Sequence, residues 1–183
     1  MSKVHLDDFV GRLRLDRRRS FIITGRPGEG KTHLAVKMAK KYNGQYLDLL
    51  AIFADEPNLA AEVDIFDPAR CKKFLQQYVT GDLVLVDEIE FLWHRWDERE
   101  KREFLNIIKL WSKPAFFGVF LPTDVVIEQF EMLDQDRHTR IFSIHDLLLN
   151  YDHKYAHIEG VSIIGQKRDA HREGFYWSKD LEQ

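Results

Sequence analysis

The sequence predicts a three-layer α/β domain, with helices on both faces of a mainly parallel sheet of about five strands. Three observations carry that prediction. Short apolar runs recur along the 183 residues with amphipathic stretches between them, and strands alternating with helices imply crossover connections and parallel pairing. The central run, LVLV at 83–86, is apolar at every position rather than at alternate ones, as a strand covered on both faces must be. The first run ends in a glycine-rich turn that leads straight into a helix-periodic segment.

In chain order, residues 1–20 form a basic segment carrying Arg12, Arg14, Arg17, Arg18 and Arg19. FIIT, closed by Gly25, is the first strand, with a β-branched pair at Ile22 and Ile23. Residues 32–42 read as a helix: Leu34, Met38 and Tyr42 recur at i, i+4, Ala35 and Ala39 flank them, and Lys37, Lys40 and Lys41 suit the negative end of the helix dipole. Residues 45–53 read as the second strand. Asp67-Pro68 starts a helix, an aspartate cap followed by proline at the first helical position. Cys71, Leu75 and Tyr78 share its apolar face and Gly81 ends it.

The central strand at 83–86 runs into Asp87-Glu88. Asp97 caps a helix over 98–112, with Glu100 completing a capping box and a stripe of Phe104, Ile108 and Trp111. Pro114 ends that helix, and 115–121 is a further buried strand. Thr123-Asp124 opens a helix with Val126, Phe130 and Leu133 on one side. VSIIG at 161–165 is the last strand. The domain so defined spans 21–165, and 166–183 is a polar tail.

Composition narrows the function classes. Apolar residues make up 44 % and charged residues 31 %, enough to bury a core. None of the apolar runs approaches the ~18 residues that cross a bilayer, and acids stand near the N-terminus where a signal peptide needs an apolar stretch. A single cysteine, Cys71, excludes an internal disulfide and points to a reduced, cytoplasmic setting. A net charge of −3 excludes a globally basic nucleic-acid binder but leaves a local patch at 12–19 open. His153 and His157 stand four apart without a third ligand at recognisable spacing. Phe91, Trp93, Trp96 and Trp111 fit either core packing or a partner interface.

The sharpest signal is Gly25-Arg26-Pro27-Gly28-Glu29-Gly30-Lys31-Thr32, which fits G-x-x-x-x-G-K-[ST] at every fixed position. Glycines let successive backbone N–H groups converge on one centre, and a helix N-terminus behind them favours phosphate. Lys31 adds a full charge between the β- and γ-phosphates. Thr32 offers a hydroxyl to Mg²⁺, and His33 closes the nucleotide-contacting stretch. Asp87 supplies a metal ligand from the facing strand end, and Glu88 a base to polarise the attacking water. Thr123, with Asp124 as second choice, is the polar group placed to contact the γ-phosphate. Arg137 and Arg140 are candidates for an arginine that reaches a neighbouring subunit's γ-phosphate. Two other readings share these residues. One is a nucleotide or small-metabolite kinase, which Glu88 opposes because an activated water is unwanted there. The other is a nucleotide-gated assembly subunit with negligible hydrolysis of its own.

FIITGRPGEGKTHLAVKMAKKY together with LVLVDEIEFLW resembles the AAA+ ATPases of the initiator and helicase-loader type, and the GKTHLA junction looks like their transposition-helper branch. The resemblance covers roughly 20–140. It implies a P-loop NTPase core, ATP rather than GTP, Mg²⁺, oligomerisation and work on DNA or a DNA-bound protein. It carries Lys31, Thr32, Asp87 and Glu88 over as phosphate, metal and catalytic residues, with Thr123 and Arg137 or Arg140 as sensor and finger. The short remainder after the arginine segment leaves little room for the helical lid of that family. In size and layout the chain also resembles the small ATPases of BREX-type phage-defence operons.

Overall fold

A computed structural model describes residues 4–79, 81–111, 116–148 and 163–164. The elements are β1 (Val4–His5), α1 (Leu6–Leu15), β2 (Ser20–Thr24), α2 (Lys31–Lys41), β3 (Gln45–Asp48), α3 (Leu49–Asp55), α4 (Pro57–Glu62) and α5 (Pro68–Tyr78). They continue with β4 (Leu83–Asp87), α6 (Glu90–Trp93), α7 (Glu98–Lys109), β5 (Phe116–Leu121), α8 (Val125–Glu128), β6 (Ile141–Ser143), β7 (Leu147–Leu148) and β8 (Ile163–Ile164). Six strands form the main sheet in the order β6-β2-β5-β4-β3-β8, and every adjacent pair in it is parallel. β1 pairs with β7 apart from it.

Alternation along the strands explains the layers. Phe21, Ile23, Tyr46, Leu83, Leu85 and Phe120 pack with α1 and α2 residues on one face. Ile22, Leu47, Val84, Val86, Phe117 and Val119 pack with α3, α5, α6 and α7 residues on the other. Successive strand side chains point to opposite faces, so both faces stay apolar only because both are covered. At Gly118 the strands leave no room for a side chain: a Cβ would stand 2.4 Å from Phe21 Cζ and 2.8 Å from Leu85 Cδ2.

Several expectations need correcting. The basic N-terminal segment contains a helix, α1, which buries Leu6, Phe9, Val10 and Leu13. The second strand stops at Asp48, whose carboxylate accepts from Ala51 N at 2.9 Å and caps α3; residues 49–53 are therefore helical. The capping box of α7 is present, but the helix ends at Lys109 rather than 112. The helix after Asp124 is a single turn, so Phe130 and Leu133 lie beyond it. Trp93, Trp96 and Trp111 are core residues, each at most 5 % exposed, which removes the interface alternative for them. Cys71 is fully buried, and burial pushes its thiol pKa well above the ordinary value. Of the predicted last strand, 163–164 are described and form β8; His153, His157 and the polar tail lie outside the described residues.

Candidate nucleotide site

β2 delivers the chain to the glycine turn at the C-terminal edge of the sheet. Gly25 N donates to Leu121 O at 3.2 Å, which fastens the turn to the end of β5. Gly28 and Gly30 have φ of 82° and 89°, the left-handed region that glycine enters without strain. Gly30 is the N-cap of α2 and has no side chain to cap it, and the N-terminus of a helix suits an anion. Arg26 N donates to Glu29 Oε2 at 2.7 Å, and Glu29 pairs with His145 at 3.2 Å. The Arg26 amide first, then His145, hold the Glu29 carboxyl below its usual range. Arg26, Pro27, Gly28 and Gly30 are exposed along the rim, and Thr32 and His33 open α2 on its exposed side.

Lys31 lies folded back into the turn at 7 % exposure. Its ammonium donates to Gly25 O at 3.0 Å and Arg26 O at 3.3 Å, and pairs with Glu90 Oε1 at 3.2 Å. Glu90 is a site residue that sequence reading missed. The signal was a third acid two positions past Glu88; its second oxygen, Oε2, is buried without a partner.

The acid pair arrives on β4. Asp87 is 1 % exposed. Its Oδ2 accepts from Tyr46 OH at 3.3 Å, and its Oδ1 is buried with no partner. Burial raises its pKa to about 6, with the nearby Thr32 hydroxyl and Glu88 amide opposing the shift. Glu88 has φ of 55°, a strained conformation for a residue with a side chain, and accepts from Thr32 Oγ1 at 3.0 Å. Burial raises the Glu88 pKa as well, again opposed by the Thr32 hydroxyl. Two chain segments, 25–32 and 87–90, are thus stitched together by Lys31–Glu90 and Thr32–Glu88. The donor set fits Mg²⁺: a carboxylate with an orphaned oxygen beside a hydroxyl, all hard oxygen ligands. Among the described residues no group of three or more His, Cys, Asp or Glu side chains could hold a metal ion by itself.

The remaining predicted residues divide. Thr123 is exposed just past the tip of β5. Asp124 is committed to structure: it accepts from Val126 N at 2.8 Å, Trp93 Nε1 at 2.9 Å and Lys101 Nζ at 2.8 Å. Arg137 is exposed in the loop before β6, with φ of 64°. Arg140 is 1 % exposed and donates to Leu133 O, Arg18 O and Ser20 O at 3.0–3.2 Å. That corrects the expectation that it serves as a finger, because a guanidinium enclosed by carbonyls cannot be offered to a neighbour.

A glycine turn at a helix N-terminus, a lysine within it, and a buried Asp87 followed by a half-buried Glu88 at the end of a strand one removed from the turn's own strand define a P-loop ATP-binding domain. The family model described as IstB-like ATP binding protein matches residues 6–164, and the chain belongs to that family, an AAA+-like group of ATP-binding ATPases. Searches of curated proteins and of solved structures gave no match. No described helix is long and apolar enough to cross a membrane.

Proposed function

We propose that the protein is an Mg²⁺-dependent ATP-hydrolysing switch that oligomerises on binding ATP and acts on DNA or a DNA-bound partner. The observation that carries this reading is the meeting of Thr32 and Glu88 at 3.0 Å beside the buried Asp87. It puts the hydroxyl and carboxylate meant for the metal next to the carboxylate meant for water.

In this reading the turn's N–H groups and Lys31 take the β- and γ-phosphates, which requires Lys31 to leave Glu90. Mg²⁺, when bound, neutralises phosphate charge. Thr32 and Asp87 would hold it, and Glu88 is free once the Thr32 hydroxyl turns away from it. Glu88 then accepts a proton from water lined up on the γ-phosphorus, and its raised pKa suits that task. Thr123 reads the γ-phosphate from the tip of β5.

Arg137 is the finger of choice. It precedes β6, which runs parallel to β2, and Gln135 in its loop donates to Asp16, just before β2, at 3.0 Å. That loop therefore sits at the end of the sheet opposite the phosphate turn, where Arg137 can reach only another subunit's nucleotide. The exposed Arg14, Arg17 and Arg18 share that end and are the candidates for DNA backbone contact.

The test is ATP turnover alone, with DNA, and in stoichiometric mixtures of variants. Glu88→Gln should bind ATP and fail to hydrolyse it, and Lys31→Ala should lose binding. Wild-type turnover by Glu88→Gln would refute the base assignment. Transfer of the γ-phosphate to a metabolite instead of water would favour the kinase reading.

A further inference from the structure

We propose that Tyr46 is a positioning residue for the metal-bearing carboxylate: its hydroxyl holds one oxygen of Asp87 and leaves the other for the cation. The inference rests on the reading of this site as one for Mg·ATP. It begins with strand register. β3 and β4 pair in parallel with Tyr46 opposite Leu85 and Asp48 opposite Asp87. Tyr46 and Asp87 are therefore one diagonal step apart on the same face of the sheet, the face covered by α2. A diagonal neighbour two residues on is ~7–8 Å away at Cα, within reach of a tyrosine.

The contact is made inside the core, where Tyr46 is 1 % exposed. A buried phenol needs an acceptor, and Tyr46 OH donates to Asp87 Oδ2 at 3.3 Å. The carboxylate is split by this bond. Oδ2 has its donor, and Oδ1 is the buried oxygen without one. Hydrogen bonds behind a metal ligand fix its orientation, and removing one typically costs ~10–100-fold in metal affinity or activity. A phenol that merely packed would leave both oxygens of Asp87 equivalent and would influence stability alone.

The experiment is titration of a fluorescent ATP analogue onto wild-type and Tyr46→Phe protein, first in EDTA and then across graded Mg²⁺. Tyr46→Phe should keep its metal-free nucleotide affinity within about twofold. The Mg²⁺ concentration that gives half of the metal-dependent gain should rise about tenfold. In an Asp87→Asn background the same change should have no further effect on Mg²⁺ dependence. A second measurement, the rise in melting temperature of the ATP-loaded protein with added Mg²⁺, should show the same displacement. Unchanged Mg²⁺ dependence in Tyr46→Phe would overturn the proposal, even if the variant melts earlier. Failure of the wild-type protein to bind the analogue with or without Mg²⁺ would instead overturn the site reading, and this proposal with it.

Discussion

Replacing Arg140 by alanine separates a structural arginine from a catalytic one. Its guanidinium joins three stretches of chain: the Leu133 loop through Nε at 3.0 Å, the entry to β2 through Arg18 O at 3.2 Å and Ser20 O at 3.0 Å, and the end of α7 through Lys109 O at 3.5 Å. Ser20 Oγ accepts a further bond at 3.1 Å while donating to Ile108 O at 2.6 Å. Burial lowers the Arg140 pKa, with Asp16 and Asp134 opposing the shift. Truncation therefore leaves buried carbonyls without donors and opens a cavity. Leaving several buried carbonyls unsatisfied, at ~1–3 kcal/mol each, costs ~3–5 kcal/mol together. At ~2–4 °C per kcal/mol for a domain of this size, the melting temperature should fall by ~6–20 °C. In urea the midpoint should drop with the slope unchanged. Arg140→Lys, which keeps charge but loses the planar fork, should recover only part of the loss. The reasoning fails if Arg140→Ala melts like wild type yet loses ATP turnover, and if turnover returns on mixing with Glu88→Gln subunits that supply an intact arginine.

Three further outcomes follow from the same structure. Gly118→Ala should destabilise by ~1–3 kcal/mol or more, because its Cβ would overlap Phe21 and Leu85; Phe21→Leu in the same chain should restore part of it in urea melts. Glu90→Gln should tighten ATP binding by about tenfold, since phosphate no longer has to displace an acid 3.2 Å from Lys31; equal or weaker affinity by calorimetry would contradict that. Asp7 ties α1 to α2 through Lys41 and Tyr42, both at 2.7 Å, and the Lys41 bond first and Tyr42 second lower its pKa. A depressed carboxylate stabilises above the unfolded pKa of ~3.9 and loses that contribution as pH falls through its folded value. Stability should thus decline below about pH 4 by no more than ~1 kcal/mol for so exposed a pair, and Asp7→Asn should remove that part of the slope.

What the sequence made legible was local chemistry. The turn at 25–32, the acids at 87–88 and the Asp97–Glu100 box are each written in adjacent residues, so spacing alone exposes them. The helix at 6–15 was legible in principle, since Leu6, Phe9, Val10 and Leu13 recur at i, i+3, i+4, i+7, but five arginines nearby drew attention to charge. The false extension of β3 has a different cause. LLAIF after Asp48 is apolar throughout, and such a run suits a buried strand and a buried helix equally; the aspartate cap was the one cue. Arg140 and Tyr46 could not have been read at all. An arginine in DRHTR looks solvated, and a tyrosine in QYLD looks like any strand residue, until register and layer packing bring distant carbonyls and Asp87 against them.

The strand order adds a constraint on the site that no motif contains. β5 lies between β2 and β4, so the phosphate turn and the acid pair stand two strands apart, ~9–10 Å across the sheet. Thr32 and Glu88 close that distance because Thr32 sits on the first turn of α2 and Glu88 is turned out of the strand by its positive φ. An acid in ordinary β geometry at 88 would continue along the strand direction instead. Glu88→Gly relaxes the backbone and removes the carboxylate together, whereas Glu88→Gln keeps the strain and removes only the charge. If the positive φ exists to aim this side chain, Glu88→Gly should be at least as stable as Glu88→Gln in urea while both fail to hydrolyse ATP. A Glu88→Gly protein clearly less stable than Glu88→Gln would mean that the Thr32 bond, and not strain, governs this corner of the site.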